Sequence, residues 1–135
     1  MRNHAFASLA VLCATAVQAA TPADLEAGYR AAAAQQSAGF QPSAQRGAAF
    51  FANRFGLSAK MPACTSCHTD DPAQAGRHVV TDKAIKPLAP AANAARFTDA
   101  AKTEKWFRRN CTEVVGRECS AAEKADFVAF LLGGR

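Results

Sequence analysis

Apolar positions recur at helical spacing in four stretches of the chain, and the pattern vanishes between the second and third. The first stretch opens at Thr21-Pro22, a capping residue followed by proline at the first helical position. Leu25 and Tyr29 fall on one face of this Ala-rich segment, which fades by Gln36. Residues Ser37 to Pro42 read as a turn, and Ser43 then caps a second helix carrying Gly47, Phe50, Phe51 and Phe55. Gly47 and Phe51 share a face, so a flat patch one turn from an aromatic predicts close approach of another helix. A third helix is expected from Asp99 to Asn110, with Trp106 and Phe107 facing the core. Ser120-Ala-Ala-Glu123 has the capping-box pattern and starts a last helix. Phe127, Phe130 and Leu131 form its apolar face, and Gly133-Gly134 stops it.

From Pro62 to Ala92 no period survives. Pro62, Pro72, Pro87 and Pro90 exclude long helices and central strands, and Val79-Val80 is too brief to found a sheet. A structureless stretch of this length is uncommon in a compact domain unless a ligand organises it. The expected fold class is all-α: about four short helices with a loop-rich middle draped over something apolar.

Length and charge narrow this further. A chain of 135 residues is one domain, and its net charge of +5 comes from interspersed signs. The basic cluster Lys105–Arg109 reads as a solvated helix face, and nothing has the charge footprint of a nucleic-acid binder. Residues 1–19 read as a cleaved export signal. Arg2 supplies the positive start, Ala5 to Val17 the apolar run, and Val17-Gln18-Ala19 the small residues before a cut after Ala19. The run is shorter than the roughly 20 residues that span a bilayer, so no membrane span is expected in the mature chain. Cys13 follows Leu12 rather than a small residue, so it leaves with the signal instead of carrying lipid. The expected location is the periplasm, where disulfides persist.

Cys64-Thr65-Ser66-Cys67-His68 is the attachment sequence for c-type haem. Two thiols three residues apart on a helical turn can add to the two vinyl groups of one porphyrin edge, and the next histidine is carried beneath the iron. A zinc site or a redox dithiol would use the same cysteine spacing. A structural zinc site brings a second close pair, and a thioredoxin-like site sits beside a βαβ pattern; neither is present. One covalent haem c is therefore expected, with His68 proximal. The aromatic helix faces, Phe51 and Trp106 among them, are assigned to its pocket.

The sixth ligand is open on the residues alone. Of the two methionines, Met1 leaves with the signal and Met61 is tethered just before Cys64; none follows His68. His78 would give a closed, low-spin haem. Asn93 and Asn110 offer a side-chain oxygen, a hard donor better matched to ferric than to ferrous iron. Water, or nothing, would also serve. Cys111 and Cys119 are expected to pair in a disulfide, which by loop entropy would stabilise by about 2.5 kcal/mol and pin the chain beside Asn110.

Several segments together strongly resemble the sphaeroides haem protein family, small monohaem high-spin cytochromes c. They are Cys64 to Asp70, Gly76-Arg77-His78, Lys86-Pro87-Leu88-Ala89-Pro90-Ala91-Ala92-Asn93, Arg96-Phe97-Thr98-Asp99, Lys105-Trp106-Phe107-Arg108-Arg109-Asn110-Cys111 and Gly116-Arg117-Glu118-Cys119. The Trp-Phe-x-x-Asn-Cys stretch is the specific part. The likeness runs from about Ser43 to the C-terminus, which divides the chain into a signal (1–19), an N-terminal helical extension (20–42) and a monohaem cytochrome domain (43–135). It implies a class I cytochrome c fold and Asn110 as a distal ligand that leaves on reduction, so that ferrous haem binds oxygen, nitric oxide or carbon monoxide. It also implies a Cys111–Cys119 disulfide near the haem and a dihaem cytochrome c, or another redox protein, as electron partner. A gas-binding, electron-exchanging cytochrome is favoured over a closed electron shuttle ligated by His78. It is also favoured over a gas-reducing enzyme, for which no distal acid–base pair is identifiable.

Overall fold

The structure is a computed structural model and describes residues 20–133; the expected signal, its cut after Ala19, Cys13 and Gly134 lie outside the described residues. Its elements in order are α1 (Pro22–Gln36), α2 (Ala44–Ala52), the single turn α3 (Thr65–His68), strands β1 (Gly76–Arg77) and β2 (Ala84–Ile85), α4 (Ala100–Asn110), a π-helical turn (Cys111–Val115) and α5 (Ala121–Leu132). The all-α expectation holds. No helix among the described residues is long and apolar enough to cross a membrane.

The helix starts follow their capping residues. The Asp24 amide donates to Thr21 Oγ1 at 3.1 Å while the Thr21 amide donates to the Asp24 carboxylate at 2.9 Å. Ser120 and Glu123 make the same reciprocal pair at 3.2 and 2.8 Å. Ser43 and Asp99 cap α2 and α4 through the amides of Arg46 and Lys102. Each cap satisfies amide groups that the first helical turn leaves without partners.

Packing is organised by α5, against which both α1 and α2 lie. Gly47 makes the α2–α5 contact possible. A Cβ there would collide with the Asp126 backbone carbonyl and come within 2.9 Å of Phe130 Cβ. One turn on, Phe51 is 2% exposed and packs against Phe127 and Phe130, with ring centroids 5.9 and 5.7 Å away. Asp126 is buried in this contact, and its carboxylate accepts from Arg46 Nε and Nη2 at 2.7 and 2.8 Å and from the Ser43 amide at 2.7 Å. The buried charge is thereby fully partnered.

Residues 20–42 are packed into the same body. Tyr29 of α1 stands edge-on to Phe107 of α4 at 5.6 Å and donates to Glu104 at 2.6 Å, and Lys124 of α5 reaches the other Glu104 oxygen at 2.8 Å. Burial opposes the Glu104 charge, yet the Lys124 and Tyr29 hydrogen bonds outweigh it and leave its pKa below the ordinary 4.5. The Arg117 hydrogen bonds depress Glu123 in the same direction. Carboxyls with depressed folded-state pKa values stabilise above the unfolded value and lose that contribution as pH falls through the folded one. Denaturation midpoints should therefore be flat near neutrality and fall below about pH 4.5, and Glu123→Gln should flatten that acid limb. A midpoint independent of pH down to 3 would contradict this.

Four expectations change. Phe55 lies beyond α2, where its amide donates to the Pro62 carbonyl at 2.8 Å and its ring meets Phe50 at 5.4 Å. The middle is not wholly irregular: β1 and β2 pair antiparallel as Gly76↔Ile85 and Arg77↔Ala84, a ribbon too short to leave a periodic signal. The third helix continues past Asn110 into the π-helical turn, ended by Gly116 at φ +84°. Trp106, expected in the core beside Phe107, is 44% exposed on the wall of a cavity, whereas Phe107 is 9% exposed and joins Cys111, Cys119 and Val128 in the core.

Candidate functional site

The attachment sequence folds locally as its chemistry requires. Residues 64–68 close a single helical turn, with the Cys67 and His68 amides donating to the Cys64 carbonyl at 3.2 and 3.1 Å. A turn places residues three and four apart on one side, so Cys64, Cys67 and His68 all line a cavity of about 670 Å³. Both thiols are free rather than joined to each other. Burial pushes the Cys64 thiol up to about 11. Burial, then the Arg96 charge, then His78 push His68 down to about 4, which keeps it as the neutral imidazole that binds metals.

The floor is held by close backbone contact. A Cβ on Gly76 would collide with the Cys67 carbonyl, so only glycine lets the β1–β2 ribbon rest on the attachment turn. That ribbon carries His78 to the cavity wall. The His78 ring is already committed: Nδ1 accepts from the amides of Val80 and Thr81 at 3.2 and 3.3 Å. With Nδ1 a hydrogen-bond acceptor, the neutral ring carries its proton on Nε2.

A further part of the cavity wall is the end of α4 and the turn after it. Trp106, Phe107, Asn110, Cys111, Val114 and Val115 all line the cavity. Phe51 and Phe127 reach it from α2 and α5. Asn110, the last residue of α4 before the π-helical turn, is exposed to the cavity, and its carboxamide makes no hydrogen bond among the described residues. Directly after it, Cys111 and Cys119 are joined in a disulfide with Cα atoms 5.7 Å apart. Arg109 lies over the Trp106 ring at 5.5 Å and pairs with Glu113 at 3.1 Å, bracing the same wall.

Met61 and Asn93 also line the cavity, and Asn93 Nδ2 donates to the Pro87 carbonyl at 3.1 Å. The sequence pattern gave no wall role to Leu88, Arg96 or Phe97, which lie in the aperiodic stretch and its tail; all three line the cavity. Phe97 adopts φ +59°, a conformation strained for a large side chain, and turns its ring toward the site.

These residues fit a covalent haem. The volume is within the usual range for cofactor sites, roughly 300–1,000 Å³, and most of the wall surface is apolar although charged and polar side chains contribute to it. Two free thiols and a neutral imidazole meet on one side of it. No group of three or more His, Cys, Asp or Glu among the described residues is arranged to hold a metal ion by itself, so the zinc alternative lacks its ligands.

Comparison with known proteins agrees. A family described as a domain of unknown function, DUF1924, matches residues 37–131. The cytochrome c-type protein SHP of Cereibacter sphaeroides is 47% identical over 124 residues, 90% of this chain and 92% of that protein. Cytochrome c'' of Methylophilus methylotrophus is 48% identical over 92 residues, 67% of this chain and 64% of that one. The structure of oxidised SHP, described as an oxygen-binding cytochrome c, superposes with a TM-score of 0.75 over 84% of this chain and 96% of its own at 46% identity. The crystal structure of oxidised cytochrome c'' gives 0.78 over 84% and 94% at 40% identity. A solution structure of cytochrome c'', described for haem-ligand detachment, gives 0.68 over 82% and 91% at 39% identity.

Proposed function

The chain belongs to the family of the sphaeroides haem protein and cytochrome c'', monohaem cytochromes with one covalent haem c, and from that premise we propose that it is an exported, high-spin, gas-binding cytochrome with Asn110 as its redox-labile distal ligand. Cys64 and Cys67 form the two thioethers, and His68 is the proximal ligand. The bound haem supplies an iron that cycles by one electron and accepts a ligand on its distal side. Asn110 would offer its carboxamide oxygen to ferric iron, the harder state, and would release it from the softer ferrous state. Phe107, Val114 and Val115 keep the vacated space apolar, so a diatomic gas such as oxygen, nitric oxide or carbon monoxide enters in preference to larger polar molecules. Electrons arrive from a partner protein such as a dihaem cytochrome c. The oxygen binding described for SHP and the ligand detachment described for cytochrome c'' support the same reading.

One observation carries it: Asn110 lines the cavity at the junction of α4 and the π-helical turn, and its whole carboxamide is free of hydrogen bonds among the described residues. Such turns recur at functional sites, where they shift a side chain's aim without unravelling the helix. The closed-shuttle alternative needs the His78 ring to change tautomer and release the Nδ1 hydrogen bonds that hold it to the Val80 and Thr81 amides.

The test is visible absorption of the oxidised protein, of the dithionite-reduced protein, and of the reduced protein under carbon monoxide. Immediate carbon monoxide binding by a high-spin ferrous form is expected. Asn110→Ala should change the ferric spectrum to that of a water-ligated or five-coordinate haem and leave ferrous gas binding intact. A ferric spectrum unchanged in Asn110→Ala would overturn the assignment, and a low-spin ferrous form indifferent to carbon monoxide would overturn gas binding.

A further inference from the structure

The cavity wall contains five basic side chains, and they are not equivalent. Lys83, Lys86 and Lys102 are exposed, and Arg109 is already paired with Glu113. Arg96 alone combines partial burial with the absence of a carboxylate partner among the described residues. Its guanidinium is nevertheless fixed in place. Nε donates to the Pro87 carbonyl at 2.8 Å and Nη2 to the Lys86 carbonyl at 2.6 Å. Asn93 Nδ2 donates to the same Pro87 carbonyl at 3.1 Å, so the 86–96 loop closes around this hub.

Nη1 donates to nothing among the described residues. A half-buried cation held by neutral carbonyls keeps its full charge while losing much of its hydration, which costs free energy unless an anion completes the arrangement. The described residues lining the cavity supply none: of their two acids, Glu113 is taken by Arg109 and Asp99 caps α4. Haem c brings two carboxylates of its own, the propionates, into a cavity that is otherwise mostly apolar. Guanidinium is the side chain best shaped for a carboxylate, because its donors are planar and diverge as a fork.

We propose that Arg96 is the propionate seat of this protein: two of its nitrogens are anchored to the loop carbonyls of Lys86 and Pro87, and the remaining donors bind a haem propionate. The inference rests on the haem reading of the cavity. It assigns a role to the Lys86-Pro87 to Arg96 segment, which holds the cofactor's anionic edge while the attachment turn holds its vinyl edge. A fixed positive charge beside the propionate offsets its negative field at the iron and so favours the reduced state.

Two variants test this in the full holoprotein. Arg96→Gln removes the charge and can still reach a loop carbonyl; Arg96→Lys keeps the charge and loses the fork. The readouts are the reduction midpoint potential and the propionate bending band in resonance Raman spectra. Arg96→Gln should lower the potential and shift the propionate band, and Arg96→Lys should recover most of the potential while the band stays displaced. If Arg96→Gln yields no holoprotein, Arg96→Lys decides alone, since loss of the fork by itself must move the band. An unmoved band in Arg96→Lys, or potential and band both unchanged in Arg96→Gln, would overturn the assignment. Covalent haem content of the wild type, read from a haem-stained denaturing gel, tests the underlying cofactor reading separately.

Discussion

Replacing Cys64 and Cys67 together by alanine is expected to abolish covalent haem and to leave a chain that no longer holds its native helical packing. The reason lies in how little else fills the middle of the molecule. Four of the buried apolar residues are alanines, and the largest fully buried side chains are only Phe51, Leu131 and Val128. Against this small core stands a cavity of about 670 Å³ whose walls come from α2, α4, the π-helical turn, α5 and parts of the middle on either side of residues 69–77. Losing apolar contact costs about 25 cal/mol per Å², and small domains retain only about 5–15 kcal/mol of net stability. A cofactor that covers several hundred Å² of wall therefore contributes on the scale of the whole stability. Each single variant keeps one thiol and should retain a fraction of the haem by one thioether. The check is haem staining on a denaturing gel together with far-UV circular dichroism. A double variant that stained for haem, or that melted cooperatively near the wild-type temperature, would contradict the assignment.

Gly47→Val should be the most damaging substitution outside the cavity, costing about 3 kcal/mol or more through overpacking. The obstacle is backbone: the carbonyl of Asp126 occupies the space a Cβ would need, so no rotamer change relieves the clash. Relief requires α2 to back away from α5. That movement loosens Phe51 between Phe127 and Phe130 and stretches the Arg46 and Ser43 hydrogen bonds that neutralise buried Asp126. For a domain of this size the melting temperature should fall by about 10 °C or more, and Gly47→Ala should already show part of the loss. Thermal unfolding of the two variants would measure it, and a Gly47→Ala protein as stable as wild type would mean that the helices are not seated as described.

Much of this was legible because the signals are local. Thr21, Ser43 and Ser120 cap their helices since a hydroxyl three residues before an unpartnered amide is a short-range geometric fit. Gly47 could be read as a contact point because a missing side chain on an apolar face has few other uses. The Cys-x-x-Cys-His motif is legible because its two thiols and its histidine lie within five positions of each other. Trp106 and Phe107 are adjacent and face different surroundings, and periodicity alone does not separate the residue of the core from the one on the cavity wall. Phe55 lies past the end of α2 because its amide bonds to the distant Pro62 carbonyl, a contact that local spacing does not reveal.

The sequence by itself determined the helix starts, the all-α class, the thiol pair and histidine for one haem, and the absence of a methionine after His68. These follow from residue type at short spacing, where backbone geometry leaves few choices. Only the tertiary structure decided what surrounds the site. It committed His78 Nδ1 to two backbone amides, left the Asn110 carboxamide unpartnered among the described residues, rested Gly76 on the Cys67 carbonyl, and gathered Leu88, Arg96 and Phe97 onto one wall. Those facts depend on contacts between segments far apart in the chain. Their energies arise from burial and desolvation, which have no value until the chain has closed around the cavity.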